Sequence, residues 1–109
     1  MLTGKLDSTG TVQNLYTHAG TNMEGKYVVQ TNDGGYLTCA KEASGTHGDW
    51  DVILMKFNSA GLAVSAWVLG TSNRDECYGM EKLPDGSISV LVYVGTAANA
   101  RIVTLSPTL

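Results

Sequence analysis

The sequence predicts an all-β chain built from two antiparallel units of four short strands each. Three observations carry that prediction. The chain repeats itself: Lys5-Leu6-Asp7-Ser8-Thr9-Gly10 returns as Lys56-Phe57-Asn58-Ser59-Ala60-Gly61, displaced by 56 − 5 = 51 positions. A period near fifty is the mark of a repeat architecture. Short apolar runs rich in Val, Ile, Thr and Tyr alternate with polar residues, as half-buried strands do. Finally, 13 Gly against 2 Pro suit many tight turns, and no segment carries a convincing helical pattern.

Taken in order, Leu2–Leu6 reads as a strand closed by a turn at Asp7–Gly10. Val12–Thr17 is the next strand, and a loop covers Ala19–Gly25. Lys26–Thr31 is a strand turned by Asn32-Asp33-Gly34, because an Asp-Gly step supplies the positive backbone angles of a tight hairpin. Gly35–Lys41 follows, then a loop at Glu42–Asp49, then Trp50–Phe57, the most apolar strand. Asn58–Gly61 is the first turn again. Ala63–Leu69, a loop at Gly70–Glu76, Cys77–Lys82, a turn at Pro84-Asp85-Gly86, Ser87–Val94, a loop at Gly95–Asn99 and Ala100–Leu105 complete the second unit.

The duplication runs along most of the chain. Gly20-Thr21 matches Gly70-Thr71, Asp33-Gly34-Gly35-Tyr36 matches Asp85-Gly86-Ser87-Ile88, and Gly45-Thr46 matches Gly95-Thr96. Val52–Phe57 matches Ala100–Leu105, and Tyr16 matches Trp67 as a large aromatic in both copies. The insertions and deletions are small and fall between apolar segments, where loops absorb length changes. The repeat units are residues 1–55, which include the N-terminal strand fragment, and 56–109.

Units of this length and strand count fit the blades of a β-propeller. The chain resembles bacterial propeller repeats on Lys5-Leu6-Asp7-Ser8-Thr9-Gly10, Tyr16, Gly20-Thr21, Thr31-Asn32-Asp33-Gly34-Gly35-Tyr36, Gly45-Thr46 and Asp51–Lys56. The residues that carry the repeat are Lys5, Asp7, Gly10, Tyr16, Asp33 and Gly34, then Lys56, Gly61, Trp67, Asp85 and Gly86. The second copy departs from the pattern at Ser87 and Arg101. The resemblance implies an extracellular or cell-surface protein, and binding or scaffolding rather than catalysis.

Propeller rings close with about four to eight blades. Two blades leave apolar faces and open edges that invite further chains. Copies of the chain are therefore the expected partner. Two, three or four copies would give rings of about four, six or eight blades, with three or four favoured. Leu2–Leu6 and Ala100–Leu105 match the same strand of the repeat, so one strand is in excess. Three explanations stand: strand exchange between chains, a displaced N-terminal fragment, or excision from a longer propeller.

Composition narrows the partners. A net charge of −3 and a pI near 5.1 argue against nucleic acid, whose binders cluster Lys and Arg. No apolar run approaches the ~20 residues that span a bilayer. The first residues lack the apolar core of a signal peptide. Cys39 reads as a small buried hydrophobe with Leu91 as its repeat partner, and a Cys39–Cys77 disulfide is left open.

Catalysis, cofactors and metals find little support. Gly-x-Ser-x-Gly is absent, and no phosphate-cradling glycine loop precedes a helix. Loop carboxylates are read as solvated. In His47-Gly48-Asp49-Trp50-Asp51 three ligand types could converge, yet Asp51 is also the strand-start Asp of the repeat, and no metal site is expected. The remaining histidine, His18, stands apart. The expectation is a non-catalytic binding or scaffold module, with a carbohydrate or protein as the ligand class. The alternatives are a lectin of the same architecture, or a fragment of a larger propeller protein or enzyme. Candidate ligand contacts are His47, Asp49, Trp50, Asn73, Arg74 and Asp75, since sugars bind aromatic faces ringed by polar groups.

Overall fold

The computed structural model describes residues 2–17, 22–43, 50–95 and 99–109. It is all-β and antiparallel, with no helix among the described residues. Among the described residues nine strands follow one another: β1 (Leu2–Leu6), β2 (Val12–Thr17), β3 (Met23–Gln30), β4 (Tyr36–Glu42), β5 (Asp51–Phe57), β6 (Ala63–Leu69), β7 (Asp75–Lys82), β8 (Ile88–Val94) and β9 (Asn99–Leu105). They form three sheets in chain order: β1-β2, β3-β4-β5-β6 and β7-β8-β9. The expected pair of four-stranded units is thus one four-stranded sheet flanked by a pair and a triplet. The sheets are not closed into a ring.

Two strands begin two or more residues earlier than the residue pattern predicts, and β9 begins one earlier, at Asn99. Met23, Glu24 and Gly25, placed in a loop by the sequence, pair with Glu42, Lys41 and Ala40. Asp75 and Glu76 likewise pair with Val94 and Tyr93. The cause is a bulge in each strand, between Gly25 and Tyr27 and between Cys77 and Gly79. A bulge inserts one unpaired residue and breaks the alternation on which strand recognition rests. Trp50, placed in a strand by the sequence, lies just outside β5.

The irregularities themselves are duplicated. The β1–β2 and β5–β6 hairpins shift register at the same step, between Lys5 and Leu6 and between Lys56 and Phe57. The turns recur too. Asp7 Oδ1 accepts from the Thr9 and Thr11 amides, and Asn58 Oδ1 accepts from the Ala60 and Leu62 amides. Asp33 Oδ1 accepts from the Gly35 amide as Asp85 Oδ1 does from the Ser87 amide, each at 2.9 Å. Gly34 and Gly86 hold φ of 82° and 88° in these turns, a region costly for a residue with a side chain.

The core lies between the sheets. One face of the four-stranded sheet presents Leu37, Cys39, Val52 and Leu54, and it meets Cys77, Ile88, Val90 and Val92 of the triplet. Cys39 is buried as expected, and it is also joined to Cys77 by a disulfide between β4 and β7 with Cα atoms 6.5 Å apart. The other face of the four-stranded sheet buries Ala40, Ile53, Met55 and Phe57. The β1–β2 pair stands against it, with the Lys5 ammonium 5.9 Å from the centre of the Tyr36 ring and 3.4 Å from the Ser59 carbonyl.

This stacking has a direction, and it leaves an uncovered apolar face at each end. In β1–β2, Leu6 pairs with Val12 and Gly4 with Leu15, so these residues share a face with Leu2. Leu2, Leu6, Val12 and Leu15 are all exposed. At the opposite end Leu91 pairs with Ile102, on the side of β8 and β9 away from the core. Ile102 is 70% exposed although its repeat counterpart, Leu54, is 1% exposed.

Candidate functional site

One rim of the stack gathers the ends of β3, β4, β5, β7 and β8. The indole of Trp50 is flanked by two cations, with Lys41 Nζ 4.5 Å and Arg74 Cζ 5.7 Å from the ring centre. Cations favour aromatic faces because the ring quadrupole is negative there. The Asp75 amide donates to the Trp50 carbonyl at 2.7 Å, which fixes the loop before β5 to the start of β7.

Glu76 organises the cations. Arg74 donates to its Oε1 through Nε at 3.0 Å and Nη2 at 2.6 Å, and Lys41 Nζ lies 3.5 Å from the same oxygen. The Tyr78 hydroxyl donates to Oε2 at 3.1 Å. Arg74 above all, and then Tyr78, holds the Glu76 carboxyl below the ordinary glutamate value, while the same bond raises the Tyr78 hydroxyl above the ordinary tyrosine value. Lys41 also reaches Glu24 at 3.1 Å, and Lys26 reaches Glu24 at 2.7 Å.

Asp75 has a different task. It is fully buried, and its carboxylate accepts from the Thr71 amide at 2.7 Å and from the Thr71 hydroxyl at 3.2 Å. Thr71 Oγ1 in turn accepts from the Asn73 amide at 3.1 Å. Asp75 therefore shapes the loop that carries Asn73 and Arg74. A groove of about 340 Å³ runs beside this loop, lined by Arg74, Glu76, Tyr78, Tyr93 and Gly95. The Tyr78 and Tyr93 rings meet edge to face, with centroids 5.8 Å apart.

Of the residues picked from the sequence, Trp50 and Arg74 come together, and Asn73 and Asp75 sit in the same loop region. His47 and Asp49 lie outside the described residues, as does His18. Sequence reasoning missed Lys41, Glu76, Tyr78 and Tyr93. Each sits inside a strand, and only the stacking of two sheets brings them to one rim. Chemically the cluster offers aromatic surface, a guanidinium and an ionised carboxylate already held by donors. Such a carboxylate serves as an acceptor rather than as a general acid near neutrality. Among the described residues no group of three His, Cys, Asp or Glu converges on a metal position. No helix among them is long and apolar enough to cross a membrane.

Compared with protein-family models, curated proteins and solved structures, the chain finds no match in any of the three.

Proposed function

We propose that this chain is a non-catalytic β-propeller module whose ring is completed by further copies of itself, serving as an extracellular binding or scaffold unit. The carrying observation is the direction of the stack. Each sheet covers one face of the next, and the two ends of the stack are built from different strands: Leu2, Leu6, Val12 and Leu15 are uncovered at one end, Leu91 and Ile102 at the other. A contact between the unlike ends of two copies repeats head to tail and forms a ring if the rotation closes. The Cys39–Cys77 disulfide supports an oxidising compartment. Native mass spectrometry of the oxidised chain tests the reading. One discrete species of about two to four copies is expected. A chain that stays monomeric at high micromolar concentration refutes it.

The rim favours a second reading, a lectin of the same architecture. Two tyrosine rings, Arg74 and Glu76 around an open groove suit a sugar, which stacks its C–H face on aromatics and offers hydroxyls to charged groups. A glycan array decides it: binding lost on Tyr93→Ala supports the lectin, and silence across the array rejects it.

A further inference from the structure

We infer that the β1–β2 hairpin of one copy takes the place of β9 beside β8 of another and so completes a four-stranded sheet, with Lys5 of the first seated on Asp85 of the second. The inference rests on the assembly reading above and names the strand and the ion pair that would carry it.

The argument starts from three versions of one strand position, held by β1, β5 and β9. In β5, Lys56 is buried, and its ammonium lies 2.8 Å from Asp33 Oδ2, pinning the hairpin turn to the strand across the sheet. Lys5 occupies the same place in β1, but among the described residues the β1–β2 sheet consists of those two strands alone and has no counterpart of the β3–β4 turn that carries Asp33. Asp85 occupies the place of Asp33 in the triplet, but the strand position facing it holds Thr104 instead of lysine. Asp85 takes its hydrogen bonds from Ser87. One end of the chain therefore carries the cation of this bridge and the other end carries the carboxylate.

The fit extends beyond charge. β9 also departs from the pattern at Arg101, where β1 has Leu2 and β5 has Ile53. Arg101 and Ile102 are exposed on the strand that would give way. The β4–β5 register supplies the new pairing: Tyr36↔Phe57 and Leu37↔Lys56 become Ile88↔Leu6 and Ser89↔Lys5 across two chains. β2 then takes the fourth position, which β6 fills in the complete sheet through the same bulged hairpin. Space exists for the incoming sheet. Slots of about 290 and 300 Å³ lie between β1 and β3 and are lined by Val28, which is exposed. In a blade so completed, β8 of the partner would run along that side of β1.

Charge reversal tests the inference by native mass spectrometry and sedimentation. Lys5→Glu alone and Asp85→Lys alone should each weaken self-association by ~10-fold or more, the effect of losing a charge-assisted hydrogen bond. Mixed together, the two variants should alternate and recover association in a ring with an even number of copies, whereas a ring of three leaves one contact unmatched and recovers only in part. The double variant K5E/D85K should associate with itself as the original does. If D85K fails to fold by circular dichroism, Lys5→Met must weaken association while Lys5→Arg preserves it. An unmodified chain that assembles, with single variants that associate equally well or a swap that restores nothing, overturns this inference and leaves the assembly reading standing. An unmodified chain that stays monomeric overturns both.

Discussion

The disulfide between Cys39 and Cys77 should carry a large part of the chain's stability, and the size of that part follows from its position. It closes a loop over a sequence separation of 38 residues. The entropy lost by an unfolded chain so constrained is about 13 cal/mol/K, or about 4 kcal/mol at 25 °C. A domain of this size has only about 5–15 kcal/mol in total. The cross-link also joins β4 to β7, the two sheets whose facing side chains form the main core. The perturbation is the paired substitution Cys39→Ala and Cys77→Ala, compared with the reduced native chain. The assay is urea unfolding at neutral pH, followed by the fluorescence of Trp50 and Trp67. Protein concentration must be held fixed, because association adds to apparent stability. The expected loss of ~4 kcal/mol moves the midpoint by roughly 2 M at an ordinary urea slope. A loss below ~1 kcal/mol in both reduced and substituted chains would refute the reasoning, since the sheets would then be held together without help from the cross-link.

Three further outcomes follow from particular residues. Gly86→Ala should cost about 1–3 kcal/mol, because a residue at φ 88° is strained; the exposed Asn32 side chain would also have to swing aside for the new Cβ. Gly10→Ala, at φ 85° with open space around it, should cost a similar amount from the backbone angle alone, and a loss near zero in thermal unfolding would contradict the argument from backbone strain. Leu54→Ala should cost about 2–5 kcal/mol, since Leu54 is fully buried between the sheets, and urea unfolding measures it. Acid should destabilise the fold. Lys56 (first) and Thr31 hold Asp33 low, Ser87 holds Asp85 low and Arg74 holds Glu76 low. Carboxyls depressed by folding contribute stability that is complete above their unfolded values and is lost as pH falls through the folded ones. The urea midpoint should therefore stay level from neutral pH to about pH 5 and decline below it, and a midpoint that rises on acidification would contradict the sign.

Much of the fold was legible because its signals are local. The turns at Asp7–Gly10, Asn32–Gly34, Asn58–Gly61 and Asp85–Gly86 are written in Asx and glycine residues whose hydrogen bonds close within a few positions. β5 reads as the most apolar strand and is buried on both faces along its whole length. The starts of β3 and β7 were hidden by bulges, which break alternation at one residue. The disulfide was hidden because sequence separation says nothing about the distance between β4 and β7. The grouping of strands into sheets was also out of reach, since the same strand type appears as β1, β5 and β9 in three different settings. At the rim, Trp50 and Arg74 stood out as unusual loop residues. Glu76, which holds the cations in place, reads as one more solvated loop carboxylate until β7 is found to include it and the neighbouring sheet is set beside it.

Magnitudes separate what would drive assembly from what would direct it. Burying a large apolar side chain is worth about 1.5–3 kcal/mol, so the uncovered Leu2, Leu6, Val12 and Leu15 outweigh the exposed ion pairs of the rim, each worth about 0–1 kcal/mol. The apolar pattern excludes a slip of one residue, which would turn every side chain to the wrong face, but a slip of two keeps the faces and is not excluded by apolar contact alone. A fixed point is needed. Within the four-stranded sheet that point is Lys56 on Asp33, an ammonium shielded from water on the strand and a carboxylate fixed in the turn. The same two groups recur as Lys5 and Asp85 at opposite ends of the chain. On this reasoning, neutralising Lys5 should loosen the register of an assembly before it removes the tendency to assemble.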